Sequence, residues 1–556
     1  MQHFNILSRR AFLSQSFKTS LAVALGTLTN IPFVMKRALA EGSIGLNGKK
    51  ILFIWLRGAN DGLNSVIPIQ DPAYASIRST IEIQKDGGAN YAATGQCFDA
   101  TTYADAGGTM RSAALDTYSY SNGIALGNGF AALHPSLKFL APVYNAGDLA
   151  VIHRVAYPRQ SRSHFDSQKY WENGNPNNNL SQDGIFYRAI IESGLAHTAP
   201  LTGVTIQSAL PLIMRGSDAA MTNLTSPTRY DLLGVPTPSG DTKAFNSIAA
   251  ANYYPFPPKR SRELLDLQYE NMSNTLRIFA GLDFSETGNT FVDNVNTDGD
   301  TAPYYLFPTT SAKNGGYALH GNNANKYLVP TSQHSFFANL KAAAVILNKT
   351  DAIIAGTEFG GFDTHQIQGG ASGAHANLQR VIGWSMYALR KYFMLYADKA
   401  TWDNTIIVTL SEFGRTAVEN SDNGTDHAEA AVMCVAGGGV KGYGQGNASG
   451  VFGCSPSDAI PWVLGSRTNS LSTCDTMYAA GVPVPGANSL PVAAGYLRRS
   501  CDYRSVLGEI IRKHLGATQN QVNRIIPGYA AAGENLLSGG TSSLDGVQIR
   551  GEIGIL

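Results

Sequence analysis

The sequence predicts an α/β fold, a doubly wound and mostly parallel sheet with helices on both faces. Short runs rich in Ile, Val and Leu are apolar throughout, which is typical of strands buried on both faces of a parallel sheet. Segments with helical periodicity separate these runs, and strand–helix alternation is the pattern of such a fold. The predicted strands are 50–56, 149–155, 201–207, 352–357, 405–410 and 431–436.

Amphipathic helices are predicted between the strands, the longest of them at 374–396. Three stretches rich in Gly, Ser, Asn, Thr and Tyr interrupt the alternation at about 71–127, 282–328 and 437–495, and we interpret them as long loop insertions. With no internal repeat and no linker, residues 41–556 are predicted to form one domain. The other predicted helices are 131–144, 186–192, 261–279 and 335–347.

Residues 1–40 have the three parts of an export signal. Arg9 and Arg10, followed by Phe12 and Leu13, resemble the twin-arginine consensus, and a mildly apolar stretch leads to an Ala-x-Ala site ending at Ala40. The apolar stretch is too short and too polar to cross about 30 Å of hydrocarbon. We therefore expect a periplasmic or secreted protein, exported by the twin-arginine pathway, with no transmembrane segment in the mature chain.

The composition excludes some classes of partner. Charged residues make up 15% of the 556 residues and the formal net charge is +1. There is thus no electrostatic basis for binding nucleic acid or anionic lipid.

Polar residues with catalytic or ligand chemistry follow four of the predicted strands. In an open parallel sheet the carboxyl ends of the strands share one edge, where the sites of α/β folds are built. Asp363 and His365 follow the strand 352–357 and are two residues apart, a spacing that lets an extended segment point both side chains to one side. Carboxylate and imidazole suit zinc, manganese, magnesium or calcium, so this edge is predicted to hold one or two divalent ions.

Each of these residues also has a structural interpretation that the sequence leaves open. Asp61 before Gly62 is compatible with a simple turn, and Glu412 with an ion pair to Arg415. Ser163 is compatible with a helix N-cap, whose side-chain oxygen accepts a backbone N–H. A helix N-terminus is also where a phosphate-like anion binds, so the cap does not exclude chemistry.

Six motifs, taken together and in this order, resemble the DUF1501 family of secreted bacterial proteins. They are R-G-A-N-D-G-L-N at 57–64, A-L-H-P-S-L at 132–137, S-R-S-H-F-D at 161–166, G-G-F-D-T-H at 360–365, S-E-F-G-R-T at 411–416 and G-T-D-H at 424–427. The resemblance implies the fold of the alkaline phosphatase/sulfatase superfamily, which carries metal-dependent hydrolases.

The resemblance also implies roles for particular residues. Asp363, His365 and His427 would hold one metal ion, with Asp61 and Glu412 facing a second position. The candidate catalytic residues are Ser163 as the nucleophile, Ser161 as the second choice for it, Arg162 as a grip on the anion, and His164. The Asp-x-His spacing is shorter than in the superfamily and no Asp-His pair follows the strand 405–410, so an altered or single-metal site is an open alternative.

The sequence therefore predicts an exported metal-dependent hydrolase or transferase that acts on a phosphate or sulfate ester through a serine nucleophile. Its substrate would be an anionic small molecule or polymer. The rival hypothesis is a non-catalytic exported protein that binds a ligand or assembles an extracellular matrix while retaining the hydrolase fold. Convergence of the ligand residues within about 5 Å would favour chemistry, and their pairing with Arg57 and Arg415 would favour the rival.

Overall fold

The computed structural model describes most of the domain that the sequence predicts. The described residues are 44–45, 47–85, 98–99, 122–195, 201–219, 221–227, 329–445, 449–462, 496–530 and 534–556, with short pieces between 274 and 309. The predicted export signal, most of the predicted helix 261–279 and large parts of the three predicted insertions lie outside them. In the described part of the chain no helix is both long enough and apolar enough to span a bilayer.

A nine-stranded sheet, mixed but mostly parallel, forms the centre of the molecule, as the sequence predicts in outline. The strand order is β8-β2-β7-β6-β1-β5-β3-β4, and β9 also pairs with β2. Only β7 runs antiparallel to both neighbours. The strands are β1 (Lys50–Leu56), β2 (Leu149–Ala156), β3 (Gly203–Ile206), β4 (Thr222–Leu224), β5 (Ile354–Phe359), β6 (Thr405–Ser411), β7 (Ala431–Ala436), β8 (Val451–Phe452) and β9 (Cys501–Asp502).

Both faces of the sheet are covered. Successive side chains of a strand point to opposite faces, and in β1 Leu52 and Ile54 join one hydrophobic core while Ile51 and Phe53 join the other. Nine α-helices have both ends among the described residues: α1 (Gly62–Ser65), α2 (Pro72–Ile77), α3 (Ala141–Asn145), α4 (His164–Asn173), α5 (Ile185–Glu192), α6 (His334–Lys349), α7 (Ala374–Leu395), α8 (Tyr503–Glu509) and α9 (Gln519–Ile525). Residues of α6 and α7 pack in the first core, and residues of α5, α8 and α9 in the second.

The helix predicted at 131–144 is wrong over its first half. A two-residue strand, Ala132–Leu133, is followed by a 3₁₀ helix, Pro135–Leu140, and only then by α3. Pro135 lacks an N–H and fixes its own φ, so it is accommodated at the first turn of a helix and not in the interior of a longer one. The His134 side chain accepts from the Ser136 N–H and so caps this late start.

Register brings four chain segments to one edge of the sheet. Leu56, at the end of β1, pairs with Phe359 of β5 on one side and with Ser411 of β6 on the other. The loops after these three strands are therefore neighbours. Because β7 is antiparallel to β6, the residues before β7, rather than those after it, reach the same edge.

Candidate metal centre

Three of these loops are held together by the side chain of Arg415, which is 1% exposed. Its guanidinium donates to four backbone carbonyls at 3.0 to 3.2 Å, and also to the Asp363 carboxylate. A planar group with five donors suits such a junction. The four carbonyls belong to Gly58, Ala59, Phe362 and Thr425.

Two glycines allow the loops to approach one another this closely. Gly58 has φ +107°, and a Cβ there would lie 2.6 Å from the backbone nitrogen of Asp363. A Cβ on Gly424 would lie 2.2 Å from the carbonyl oxygen of His365. Any larger residue at either position would push apart the loops that carry Asp363, His365 and His427.

Four side chains meet at this junction, and we call them the histidine cluster: His164, Asp363, His365 and His427. The Nε2 atom of His427 lies 3.1 Å from that of His164 and 2.9 Å from that of His365. Asp363 Oδ1 is 3.0 Å from Nε2 of both His365 and His427, and Oδ2 is 3.5 Å from Nε2 of His164. The ligand atoms of His164, Asp363 and His427 all lie within 4.8 Å of one another.

The outer ring nitrogens determine which atoms face inward. Each Nδ1 contacts an oxygen that can only accept, which favours a proton on Nδ1, and with an ion in the site each Nε2 would present its lone pair to that ion. Nε2 of His427 also lies 3.0 Å from Asp363 Oδ1, to which it donates when it carries a proton. Metal-binding histidines are oriented in the same way by carboxylates and carbonyls. The Nδ1 partners are Glu412 Oε1 for His164 at 2.9 Å, Asp426 Oδ1 for His365 at 3.0 Å and the Arg162 carbonyl for His427 at 3.0 Å.

A cation would pair with the ring-nitrogen lone pairs of this cluster better than the side chains pair with one another. With every ring protonated on Nδ1 alone, lone pairs face each other at about 3 Å, which is repulsive. A proton on Nε2 of His427 would relieve this by donating to Asp363 Oδ1 at 3.0 Å, whereas a divalent ion would accept the lone pairs of all three rings. Three carboxylates (Asp363, Glu412, Asp426) and the Arg415 guanidinium leave two net negative charges among the groups in contact, which suits a divalent ion.

The charges around the cluster shift the pKa values of its members in different directions. The hydrogen bond to Glu412 raises the pKa of His164, whereas burial lowers the pKa of His427. Burial alone would raise the pKa of Asp363, but the adjacent Arg415 guanidinium and the His427 hydrogen bond hold it at about 2. Asp363 is therefore a carboxylate at neutral pH, as a metal ligand must be.

Glu412 lies behind His164 rather than facing a second ion. Its Oε1 accepts from the Gly58 N–H at 2.8 Å and from the His164 ring, and these bonds hold its pKa low although burial would raise it. Oε2 is buried and has no hydrogen-bond partner among the described residues. The alternative pairing of Glu412 with Arg415 is not found, because the carboxylate that Arg415 binds is that of Asp363.

Asp61 does not join the histidine cluster, contrary to the expectation of a second metal position. Its carboxylate is 0% exposed and accepts both terminal nitrogens of the Arg78 guanidinium, at 2.5 and 3.0 Å. It also accepts from Gln368 at 2.6 Å and from the Leu63 N–H at 3.1 Å. Both oxygens are thus occupied, so this geometry does not support Asp61 as a ligand.

The predicted catalytic segment, 161–164, lies at the start of α4. The Ser163 side chain is the N-cap and accepts from the Asp166 N–H at 3.4 Å, while Ser161 Oγ accepts from the Ser163 N–H at 3.2 Å. Arg162 donates to the Tyr496 hydroxyl, with its guanidinium 5.1 Å from that ring. Ser163 is exposed and directly precedes His164, so it stays a candidate nucleophile beside the cluster.

Sequence reasoning did not single out Asp426 and Gln368, which contact His365 and Asp61, and it placed His164 among the candidate catalytic residues and not with the other members of the histidine cluster. Asp426 precedes His427 in the G-T-D-H motif, and its place in that motif was the available signal. Gln368 stands outside every motif and had no signal.

Comparison with known proteins gives one match. The family model described as "Protein of unknown function (DUF1501)" matches residues 310–453, which contain Asp363, His365, Glu412 and His427. No curated protein and no solved structure matches the chain. This segment carries three of the four members of the histidine cluster, and over it the chain is similar to the DUF1501 family.

Proposed function

We propose that this protein is an exported metal-dependent hydrolase or transferase that acts on a phosphate or sulfate ester. The observation that carries the proposal is the convergence of three imidazole Nε2 atoms and one carboxylate at the carboxyl edge of the sheet. His164, Asp363 and His427 would hold one divalent ion, with His365 as a further donor. Three imidazoles favour zinc or manganese over calcium or magnesium.

The surrounding residues would prepare the site for an anionic ester. When bound, a divalent ion polarises an ester oxygen and lowers the pKa of an oxygen nucleophile. Glu412, Asp426 and the Arg162 carbonyl fix the orientations of the three rings, and Arg415 holds Asp363 in its ionised form.

Ser163 is the nucleophile in this proposal. Its Oγ would attack phosphorus or sulfur, the bond to the leaving alcohol would break, and the serine proton would end on that alcohol. Water would then cleave the covalent ester, releasing phosphate or sulfate and restoring the hydroxyl. The helix N-terminus at Ser163 adds backbone N–H groups on the side where an anion would bind.

The experiment combines metal analysis with a panel of aryl phosphates and sulfates. Mature protein beginning near Glu41 is dialysed, loaded with zinc, manganese, calcium or magnesium, and compared with Asp363→Ala and His365→Ala. We expect one bound ion per chain in the wild type and a sharp loss of bound ion in both variants. Folded wild type that holds no stoichiometric ion would refute the proposal.

Ser163→Ala separates catalysis from helix capping. We expect the variant to fold, to keep its ion and to lose turnover, whereas loss of a cap alone costs only about 1 kcal/mol of stability. Unchanged turnover would transfer the nucleophile role to Ser161 or end it. Replacing Arg9 and Arg10 with lysine should leave uncleaved precursor in the cytoplasm, which tests the export part of the proposal.

The non-catalytic alternative has one observation in its favour. Three of the charged residues at this edge lie in ion pairs: Asp61 with Arg78, Asp363 with Arg415, and Arg57 with Glu172 and Glu358. A protein that binds an ion without turning over any ester of the panel would support this alternative. The ion would then hold the loops together rather than carry out chemistry.

A further inference from the structure

The buried side-chain amide of Gln368 connects the two loops that supply three of the four members of the histidine cluster. The first loop follows β5 and carries Asp363 and His365, and the second precedes β7 and carries His427. Gln368 lies between them with its side chain 0% exposed. Its Oε1 accepts from the hydroxyls of Thr364 at 2.9 Å and Thr425 at 2.8 Å.

These two threonines stand beside the ligands in the chain. Thr364 separates Asp363 from His365, and Thr425 is two residues before His427. Both are buried, at 6% and 0% exposure. We therefore expect a change in the separation of their hydroxyls to change the separation of the neighbouring side chains of Asp363, His365 and His427.

The other end of the amide is anchored to the sheet. Gln368 Nε2 donates to Asp61 Oδ2 at 2.6 Å, and Asp61 is held by Arg78. Arg78 in turn donates to the carbonyls of Thr416 and Ala417 on the loop after β6, at 2.8 and 2.9 Å. Asp61, which the sequence indicates as a metal ligand, thus links Gln368 to Arg78.

Only an amide fits this position. Two hydroxyl donors require an acceptor on one atom, and the Asp61 carboxylate requires a donor on the other. A carboxylate at 368 would face the charge of Asp61, and an apolar side chain would leave two buried hydroxyls without their acceptor.

We propose that Gln368 is a positioning residue for the cation site: it fixes the distance between the loop of Asp363 and His365 and the loop of His427. The inference deepens the proposed function and rests on it for its consequence on ion binding. Three backbone hydrogen bonds run between the same loops and report on the connection without any ion. They join Ile367 N–H to Asp422, Gln368 N–H to Asn423 and Thr425 N–H to Thr364, at 2.9, 2.9 and 3.2 Å.

The test removes one hydroxyl at a time. Thr364→Val and Thr425→Val keep the side-chain shape and remove a donor, whereas Thr364→Ser and Thr425→Ser keep the donor. The matched control is Thr357→Val, since Thr357 is 0% exposed and its hydroxyl donates one bond, to the Ile206 carbonyl at 2.8 Å, within the sheet. Zn²⁺ affinity is measured by calorimetry, and amide hydrogen exchange is measured on metal-free protein.

We expect each Thr→Val variant at 364 and 425 to lose Zn²⁺ affinity by about 10-fold to 100-fold, as removal of outer-shell partners does. The amides of Ile367, Gln368 and Thr425 should also exchange faster. The serine variants should behave as wild type, and Thr357→Val should change neither quantity at these sites.

Two failures can be told apart. Unchanged exchange at the three amides, or equal loss of affinity in the serine and valine variants, would overturn the positioning role. Faster amide exchange in the valine variants, together with a wild type that binds no Zn²⁺, would refute the cation site and with it the positioning of ligands. Gln368 would then only connect the two loops.

Discussion

Two groups of charged side chains lie beside the carboxyl ends of β1 and β5, and their polar atoms are satisfied differently. The pair of Asp61 and Arg78 is fully buried, and both carboxylate oxygens of Asp61 accept hydrogen bonds. The histidine cluster is half-buried, and the Nε2 atoms of its other two rings lie about 3 Å from that of His427. Satisfied charges of this kind stabilise a fold, whereas converging lone pairs indicate a place for a ligand.

The largest expected effect comes from breaking the buried pair. Asp61→Asn leaves the Arg78 guanidinium buried without its counter-charge, which typically costs about 3–5 kcal/mol. Urea unfolding monitored by circular dichroism measures the loss. Asp398→Asn, in the exposed pair with Lys349, is the control and should cost well under about 1 kcal/mol. Equal losses of unfolding free energy in Asp61→Asn and Asp398→Asn would contradict the expected difference between a buried and an exposed ion pair.

A cluster variant should show the opposite behaviour. His427→Gln removes the ring that contacts both other imidazoles, so we expect Zn²⁺ affinity to fall more than about 100-fold, beyond the effect of an outer-shell change. The unfolding free energy of the metal-free protein should fall by less than in Asp61→Asn, because His427 is only half-buried, although its contacts with Asp363 and the Arg162 carbonyl are lost. Calorimetric titration and urea unfolding measure the two quantities. A large loss of stability without loss of affinity would reverse our assignment of the two groups.

Acid should affect the buried pair in a defined pH range. Burial would raise the pKa of Asp61, but the Arg78 charge and its hydrogen bonds lower it to about 2, below the ordinary value of 3.8. The stabilisation is therefore complete above about pH 4 and is lost as the pH falls toward 2, to a total of about 2 kcal/mol. Unfolding free energies measured between pH 6 and pH 2 give the slope. A carboxyl resonance of Asp61 that titrates at or above pH 4 would contradict it.

The smallest expected effect concerns backbone strain beside the cluster. Ile367 has φ +45° and is 78% exposed, although a β-branched residue rarely adopts the left-handed region. Asn tolerates this conformation, so Ile367→Asn should stabilise the protein by about 1 kcal/mol. Ile367→Val keeps the β-branch and should give no gain. Thermal unfolding of both variants and of the wild type measures the difference. Equal stability of Ile367→Asn and the wild type would show that the loop carries no strain at this position.

The sequence predicted the sheet better than the site. The strands 50–56 and 431–436 were predicted with the bounds that β1 and β7 have, because a run that is apolar throughout has one stable environment. The histidine cluster required more, since His427 reaches the edge only because β7 is antiparallel, and no local pattern indicates that direction. Asp61 was taken for a ligand because its partners, Arg78 and Gln368, lie 17 and 307 positions away in the chain.

The sequence separation between the contacting residues also affects when the histidine cluster forms during folding. His164 and His427 are 263 positions apart, and the Gly58 N–H reaches Glu412 across 354. Closing such long loops costs entropy and slows folding, so we expect the histidine cluster to assemble late in folding. The segment that matches the family model would lack His164 and Gly58 if expressed alone. The histidine cluster is therefore a property of the completely folded chain, and the metal site that we propose there would need the closed sheet.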